Sequence, residues 1–148
     1  MKILVTGGTG YIGSHTVVEL QNKGFDVVIV DDLSNSSAEI VDQIEKITGI
    51  RPKLEVFDLV DREKTADFFK RHYDIIGVIH FAASKAVGES VKIPLHYYRN
   101  NLVSLMNILE SMKENQIPYI VFSSSCTVYG QPDELPVSEN APINNTCS

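Results

Sequence analysis

The stretch Thr6-Gly7-Gly8-Thr9-Gly10-Tyr11-Ile12-Gly13 decides the fold of this chain. It follows an apolar run that predicts a buried strand and precedes a run that predicts a helix. Glycines at this spacing permit a tight turn, let the backbone approach a phosphate, and let the helix pack close to the strand. The first amides of such a helix attract anions. The stretch fits G-x-G-x-x-G through Gly8, Gly10 and Gly13, and G-x-x-G-x-x-G through Gly7, Gly10 and Gly13.

The rest of the chain alternates short apolar runs with longer amphipathic runs. This alternation predicts an α/β fold with a doubly wound parallel sheet, in one domain over residues 1–148. Ligands of such sheets bind at the carboxyl ends of the strands. The predicted strands are Lys2–Thr6, Asp26–Asp31, Lys53–Phe57, Ile75–His80 and Pro118–Ser124, and the predicted helices are Tyr11–Lys23, Ser37–Thr48, Asp61–His72 and Pro94–Glu114.

Composition and charge exclude several classes of protein. The 148 residues are 43% hydrophobic and 22% charged, which is typical of a globular domain and excludes disorder. The net charge of −6 argues against a nucleic-acid partner. No membrane span, membrane partner or signal peptide is indicated, so we expect a cytoplasmic location with Cys126 and Cys147 as reduced thiols. No residue cluster has the spacing of metal ligands, so no metal site is expected.

An acidic pair ends the second predicted strand. Asp31 lies 18 positions after Gly13, which is the context that a dinucleotide-binding turn requires. We expect its carboxylate to accept hydrogen bonds from the adenosine ribose. Asp32 adds a second negative charge that would repel a 2′-phosphate, so the pair favours NAD over NADP as the cofactor.

Two residues at strand ends have competing interpretations. Asp58, after the third strand, either accepts a hydrogen bond from the adenine amino group or caps the next helix. Asp61 is the better cap by position, and both interpretations of Asp58 stay open. His80 ends the apolar fourth strand, and we interpret it as a structural histidine rather than a base.

Small and hydroxyl-bearing residues follow the fourth and fifth strands. Ala82 and Ala83 would let a cofactor lie against the backbone, and Lys85 could reach a phosphate or a ribose hydroxyl. The run Ser123–Thr127 reaches the same edge of the sheet, where a hydroxyl could bind a substrate oxygen and help to move its proton. We interpret Cys126 within this run as a packing residue rather than a nucleophile.

Several motifs together resemble the extended short-chain dehydrogenase/reductase family, and within it the branch that epimerises UDP-hexoses at C4. The resemblance extends in register over essentially the whole chain, and the Lys-Ala-Val-Gly-Glu-Ser stretch is its most specific part. The fold that it implies is a Rossmann-type NAD-binding domain. The motifs are Val5–His15, Asp31–Ser36, His80–Ala82, Lys85–Ser90 and Phe122–Gly130.

The resemblance implies an isomerase that interconverts UDP-galactose and UDP-glucose by transient oxidation at C4 of the hexose, with NAD as a tightly held cofactor. It implies that Ser125 bonds the sugar near its 4-oxygen and that Lys85 also faces the UDP-hexose. The residue pattern adds Gly13, Asp32, Ala83 and Ser123 to the cofactor site. The NAD-lining residues implied by the resemblance are Gly7, Gly10, Tyr11, Ile12, Asp31, Asn35, Ser36, Asp58, Leu59, Phe81, Ala82, Lys85 and Asn100.

The chain departs from the family pattern in three places. Asp32 replaces a frequent Asn, and Ala83-Ser84 replaces the usual Gly-Leu. The third departure is that the family's catalytic Tyr-x-x-x-Lys motif would fall just beyond Ser148. We therefore expect a domain truncated before its last strands, without the C-terminal sugar-nucleotide domain, and inactive alone. The complete enzyme is expected to be a homodimer, and the truncated chain to self-associate.

Other functions remain open at this stage. A nucleotide-sugar 4,6-dehydratase would need an Asp-Glu pair where this chain has Cys126 and Thr127, which cannot serve as that acid–base pair. A uronate epimerase or decarboxylase is harder to exclude, because sugar specificity depends on the missing domain. The alternative outside the enzymes is a non-catalytic NAD-binding module.

Overall fold

The structure is a computed structural model that describes residues 1–130 and 135–143. Strands and helices alternate along the chain. The strands are β1 (Lys2–Thr6), β2 (Asp26–Asp31), β3 (Lys53–Val56), β4 (Ile75–His80) and β5 (Tyr119–Phe122). The helices are α1 (Tyr11–Asn22), α2 (Ile40–Thr48), α3 (Arg62–Arg71), α4 (Val87–Lys92), α5 (Pro94–Tyr98) and α6 (Ser104–Glu114), with a π-helical turn at Arg99–Val103 and a 3₁₀ turn at Cys126–Tyr129.

All described strands are parallel, in the order β3-β2-β1-β4-β5. The chain first winds outward from β1 to β3 and then crosses back to β4 and β5. Thr6 at the end of β1 therefore lies between Val30 of β2 and His80 of β4. This reversal confirms the doubly wound sheet, and it opens a crevice at the carboxyl ends of β1 and β4.

Two apolar clusters cover the two faces of the sheet. Successive strand residues point to opposite faces, so Leu4 and Val5 of β1 belong to different clusters. Leu4 packs with Phe68 of α3 and Ile108 of α6, whereas Val5 packs with Val17 of α1. Burial on both faces explains why the central strands are continuously apolar.

The second predicted helix is shorter than expected, and several other boundaries shift. Helix α2 begins at Ile40 instead of Ser37, because the Ser37 hydroxyl accepts a hydrogen bond from the Glu39 amide (3.2 Å) and closes a turn in place of the first helical turn. Four other predicted elements extended one or two residues too far at one or both ends: Lys53–Phe57, Pro118–Ser124, Tyr11–Lys23 and Asp61–His72. In α3 the two extra residues, Asp61 and His72, are the caps of the helix, and the Asp61 side chain accepts a hydrogen bond from the Lys64 amide.

The prediction of one helix over Pro94–Glu114 was wrong. Pro94 does begin a helix, but the π-helical turn at Arg99–Val103 interrupts it, and helix α4 over Val87–Lys92 was not predicted. The apolar pattern continues through the π turn, so periodicity does not reveal it. Helix α4 has little apolar periodicity because most of its side chains face solvent.

A charged cluster covers the outer edge of β3. Two guanidinium nitrogens of Arg71 donate to the Glu55 carboxylate (3.0 and 2.7 Å), and the same carboxylate contacts Lys53 Nζ (2.9 Å) and His72 Nε2 (2.7 Å). The bonds from Arg71 above all lower the pKa of Glu55 to about 2. Charged residues on an edge strand also discourage pairing with other chains.

Replacing Glu55 with glutamine is expected to lower the free energy of unfolding at pH 7 by about 1–2 kcal/mol, since its partners are solvent-screened. The folded pKa of Glu55 lies below its ordinary value of 4.5, so the contribution is present above pH 4.5 and is lost as pH falls toward 2. Urea unfolding at pH 7 and pH 3 measures both effects. Glu19→Gln, at an exposed position, is the control. If the difference in free energy of unfolding between wild type and Glu55→Gln were the same at pH 3 as at pH 7, the result would contradict this account.

Candidate functional site

The glycine turn occupies the crevice between β1, β2 and β4. Gly7 adopts φ +67°, and its amide donates to the Val30 carbonyl of β2 (2.9 Å). A Cβ atom at Gly7 would lie 2.8 Å from the Ala82 amide nitrogen, so the turn lies directly against the segment after β4. Only glycine suits this position on both counts.

The start of α1 is equally tight. A Cβ atom at Gly13 would lie 2.1 Å from the Gly7 carbonyl oxygen, so the first turn of the helix packs on the turn that precedes it. Gly10 precedes the helix in extended conformation and provides no side-chain cap. Tyr11 and Ile12 follow it with exposed side chains, 80% and 52% accessible. The helix therefore presents an uncapped, positively polarised end at the crevice, as a phosphate site requires.

The buried carboxylate of Asp31 joins the end of β2 to the glycine turn. It accepts hydrogen bonds from the Thr9 amide (3.1 Å), the Leu33 amide (3.0 Å) and the Ser36 hydroxyl (3.2 Å). The Thr9 and Ser36 hydroxyls are also bonded to each other at 2.7 Å. A carboxylate offers about four acceptor positions, so Asp31 is held in place and retains capacity for a ligand hydroxyl.

The segment after Asp31 forms a compact turn. Leu33 adopts φ +61°, which is strained for a branched residue. The Asp32 carboxylate accepts from the Ser34 amide (2.9 Å) and the Ser34 hydroxyl (2.7 Å), which supports this conformation. Asp32 and Asn35 are exposed on the turn, so the second negative charge predicted from the sequence lies at the surface beside Asp31.

The structure excludes the capping interpretation of Asp58 and places the Leu59 side chain in the core. Asp58 does not cap α3, because Asp61 does; its exposed carboxylate accepts from the Val60 amide (2.9 Å). Leu59 is 5% accessible, and its side chain belongs to the core. Leu59 can therefore face a ligand only through its backbone, and its carbonyl already accepts from Asn107 Nδ2 (2.8 Å).

His80 is a structural residue, as the sequence predicted. Its ring is 2% accessible, contacts the Thr6 hydroxyl through Nδ1 at 2.7 Å, and stacks on Phe122 with ring centroids 5.8 Å apart. Burial lowers the pKa of His80 to about 4. A neutral histidine at physiological pH joins β1, β4 and β5 at the base of the crevice.

The His80 ring is therefore expected to show no titration by NMR between pH 5.5 and 8. An unfolded histidine titrates near pH 6.5. Since the folded pKa is lower, about 4, the stability from neutral His80 is complete above pH 6.5 and is lost as pH falls from 6.5 toward 4. A His80 midpoint near 6.5 in the folded chain would contradict this assignment.

The segment after β4 leads from the core to the surface. Phe81 and Ala82 are half-buried and pack against opposite core clusters, and the Ala82 amide approaches the Thr6 hydroxyl at 3.4 Å. Ala83 and Lys85 are exposed. Small side chains thus lie where the glycine turn meets this segment, and the Lys85 ammonium group is available to an anionic ligand.

Two adjacent asparagines hold this segment from the π-helical turn. Asn101 accepts from the Ser84 amide (2.8 Å) and donates to the Ser84 carbonyl (2.9 Å). Asn100 Nδ2 donates to the Ser84 hydroxyl (3.0 Å). Asn100 was predicted as a site residue, whereas Asn101 was missed. Both asparagines lie in the π-helical turn over Arg99–Val103, and both contact Ser84 from there.

The serine run after β5 lies at the same edge of the sheet. The Ser123 amide donates to the His80 carbonyl (3.2 Å), which continues the pairing of β5 with β4. Ser123 and Ser125 are both exposed to solvent. The side chains of Cys126 and Thr127, and all of Cys147, lie outside the described residues.

Residues 1–130 and 135–143 contain no cluster of three or more His, Cys, Asp or Glu residues that could hold a metal ion. None of the helices in these ranges has the length and apolar character needed to cross a membrane.

Two curated proteins named UDP-glucose 4-epimerase are similar to this chain. A UDP-glucose 4-epimerase of Bacillus subtilis is 51% identical over 146 residues, which cover 99% of this chain and 43% of that protein. A UDP-glucose 4-epimerase of Dictyostelium discoideum is 48% identical over 145 residues, covering 98% of this chain and 42% of that protein. The chain thus spans less than half the length of the relatives that it matches.

Solved structures agree with the fold. The UDP-glucose 4-epimerase of Bifidobacterium longum in complex with NAD+ and UDP superimposes with a TM-score of 0.91 at 46% identity, over 99% of this chain and 43% of that one. The enzyme of Stenotrophomonas maltophila, with bound NAD and formylated UDP-arabinopyranose, gives a TM-score of 0.89 at 49% identity, over 97% and 43%. The fold is therefore the Rossmann-type fold of these NAD-binding epimerases.

A family model also matches this chain. The model described as the NAD dependent epimerase/dehydratase family matches residues 3–148, nearly the whole chain. The chain therefore belongs to the NAD dependent epimerase/dehydratase family.

Proposed function

We propose that this chain is the NAD-binding part of an isomerase that interconverts UDP-galactose and UDP-glucose. One observation carries the cofactor proposal: the buried Asp31 carboxylate is bonded to the glycine turn at the Thr9 amide (3.1 Å). This bond joins the acceptor for a ribose hydroxyl to the anion-binding end of α1. The similarity to epimerases crystallised with NAD supports the same assignment.

The residues present suit NAD+. Added Cβ atoms at Gly7 and Gly13 would meet backbone at 2.8 and 2.1 Å, so the turn has the close-packed form of a pyrophosphate cradle. Asp31 would bond the adenosine ribose, and the charges of Asp31 and Asp32 would repel the 2′-phosphate of NADP. When bound, NAD+ supplies the acceptor for a hydride from C4 of the hexose.

Other residues would serve the substrate side. Lys85 is exposed beside the crevice and would bond the cofactor ribose and the UDP-hexose. Ser125 would bond the sugar near its 4-oxygen and orient it for hydride transfer. Within residues 1–148 no tyrosine is followed four positions later by lysine, so we propose that the catalytic base and the sugar-nucleotide domain belong to the part of the relatives that this chain does not span.

A chimera tests the proposal. Residues 1–148 would replace the matching segment of the Bacillus subtilis relative, and UDP-galactose would be supplied. The chimera is expected to form UDP-glucose with NAD+ retained, whereas the 148-residue chain alone is expected to bind NAD+ without turnover. A Ser125→Ala chimera should fold and hold NAD+ but lose at least about tenfold in rate. A folded, NAD-loaded chimera without epimerisation would contradict the proposal, as would turnover by the chain alone.

We also propose that the complete protein is a cytoplasmic homodimer. One face of the α5–α6 segment supports the dimer, because its exposed apolar side chains recur every three or four positions. Exposed single residues are common, but a continuous helical stripe of this kind is typical of an interface. The stripe consists of Leu95, Tyr98, Leu102, Met106 and Leu109, which are 44–81% accessible.

The 148-residue chain is therefore expected to self-associate in sedimentation velocity. A Leu102→Lys/Met106→Lys variant should shift the distribution toward monomer, because two charges would be buried in the interface. A Tyr73→Lys substitution at an exposed position away from the stripe provides the control. A monodisperse wild-type monomer would contradict the expectation.

A further inference from the structure

Helix α4 follows Lys85 closely, yet it is poorly equipped to be stable by itself. It has six residues, Val87–Lys92, and isolated helices of this length do not persist in water. Val91 is 78% accessible, and Glu89 and Lys92 are also exposed. No side chain caps its first turn. Contacts from a neighbouring element must therefore contribute to its stability.

The neighbouring helix α5 supplies such a contact through Tyr97. Tyr97 is 8% accessible, and its hydroxyl donates to Glu89 Oε2 at 2.5 Å. Bonds between a hydroxyl and a carboxylate are short and about twice as strong as neutral ones. The same bond raises the pKa of Tyr97 above its ordinary value of 10.0, so the hydroxyl remains a donor at neutral pH.

Lys85 lies between this contact and a second anchor. On its amino side, Asn101 bonds both the amide and the carbonyl of Ser84 (2.8 and 2.9 Å). On its carboxyl side, Ala86 is the N-cap of α4, and the Ser90 amide donates to the Ala86 carbonyl (3.0 Å). The backbone at Lys85 is therefore defined only while both flanking segments are held. Asn101 holds one of them, and Tyr97 holds the other through Glu89 and through a hydrogen bond between its hydroxyl and the Ala86 backbone.

We propose that Glu89 and Tyr97 are positioning residues that hold α4 so that the Lys85 ammonium group is directed at the bound dinucleotide. This inference rests on the proposed function for the role of Lys85. The anchoring of α4 stands on the geometry of the chain alone. The long lysine side chain loses conformational entropy when it binds a ligand. A backbone that is already fixed at Lys85 keeps the total loss of entropy smaller.

The anchoring is tested first, without any ligand, by amide hydrogen exchange in the 148-residue chain. Replacing Tyr97 with phenylalanine removes only the hydroxyl. The Ser90 and Ile93 amides, which donate to Ala86 and Glu89 carbonyls, are expected to exchange about tenfold faster. The Ser14 amide of α1 should be unchanged as an internal reference. Unchanged rates at Ser90 and Ile93 would overturn the anchoring.

The positioning role is tested by NAD+ affinity in a double-mutant cycle, measured by calorimetry. Tyr97→Phe is expected to weaken binding about five- to tenfold in the wild-type background and less than about twofold in a Lys85→Ala background. Glu89→Gln keeps an acceptor for the hydroxyl and should stay within about threefold of wild type. Glu89→Ala should weaken binding in the same direction as Tyr97→Phe but no more strongly, because the Tyr97 hydroxyl keeps its bond with the Ala86 backbone.

The possible outcomes separate the two claims. Equal losses in both backgrounds would show a general structural effect and overturn positioning through Lys85. A wild-type chain that is folded but binds no NAD+ would overturn the proposed function, and with it the ligand role of the pair. The exchange rates would in that case still decide whether Tyr97 anchors α4.

Discussion

Replacing Asp31 with alanine is expected to weaken NAD+ binding by about 30- to 150-fold, which corresponds to about 2–3 kcal/mol. The variant loses the acceptor for the ribose hydroxyls. It also frees the Thr9 amide, the Leu33 amide and the Ser36 hydroxyl, which Asp31 now holds at 3.0–3.2 Å. Both effects weaken the binding of the same ligand, since the glycine turn loses its side-chain link to the end of β2. Isothermal titration calorimetry measures the affinity directly.

The same strand provides a matched control. Asp26 begins β2 at the opposite end of the sheet, where its carboxylate lies 3.4 Å from Lys2 Nζ at the surface. Asp26→Ala removes the same group and should leave NAD+ affinity within about twofold of wild type. Equal affinities for the Asp31→Ala and wild-type chains would mean that the nucleotide does not bind at this strand end.

Replacing Gly13 with alanine is expected to have the largest effect on the fold. Its Cβ atom would lie 2.1 Å from the Gly7 carbonyl oxygen and 2.9 Å from the Gly8 Cα atom. Both neighbours are backbone, so α1 and the turn must separate. We expect the free energy of unfolding to fall by about 3 kcal/mol or more, with loss of NAD+ binding. Urea unfolding followed by circular dichroism measures the change.

Gly88 is the matched control, because it is also a glycine within a helix. A Cβ atom there would have no neighbour within 4 Å. Gly88→Ala should therefore be neutral or raise the free energy of unfolding by up to about 1 kcal/mol, as expected from helix propensity. If Gly13→Ala behaved like Gly88→Ala, the helix could not be packed on the turn as described.

The fold could be predicted from the sequence wherever local and tertiary signals agree. The run Asp26–Asp31 is apolar between its two acidic ends because β2 is buried on both faces, so its bounds were predicted correctly. Gly24 and Gly49 mark the ends of α1 and α2, and both adopt positive φ. Asp61 caps α3 as its position indicated.

The errors come from features with no local signal. The π-helical turn at Arg99–Val103 leaves the apolar pattern intact, so it was predicted as ordinary helix. Helix α4 has contacts from outside its own sequence, including the Tyr97 hydroxyl, so no helix was predicted there. Asn101 was missed for the same reason, since its role follows from the tertiary position of Ser84.

The candidate site also combines features that have a local sequence signal with features that have none. The glycine turn and Asp31 were predicted because their residue types are required by their backbone and bonding. The burial of Leu59, 5% accessible, could not be foreseen from its position at a strand end. The structure also adds the links between predicted residues, above all the Thr9–Ser36 contact at 2.7 Å across the two strand ends.

The most direct test of the central claim is a native mass spectrum of the 148-residue chain mixed with NAD+ or with NADP+. The account predicts one NAD+ bound per chain and much less NADP+, because Asp31 and Asp32 oppose the additional phosphate. Circular dichroism of the same sample establishes that the chain is folded. A folded chain that binds neither dinucleotide, or that prefers NADP+, would contradict the account.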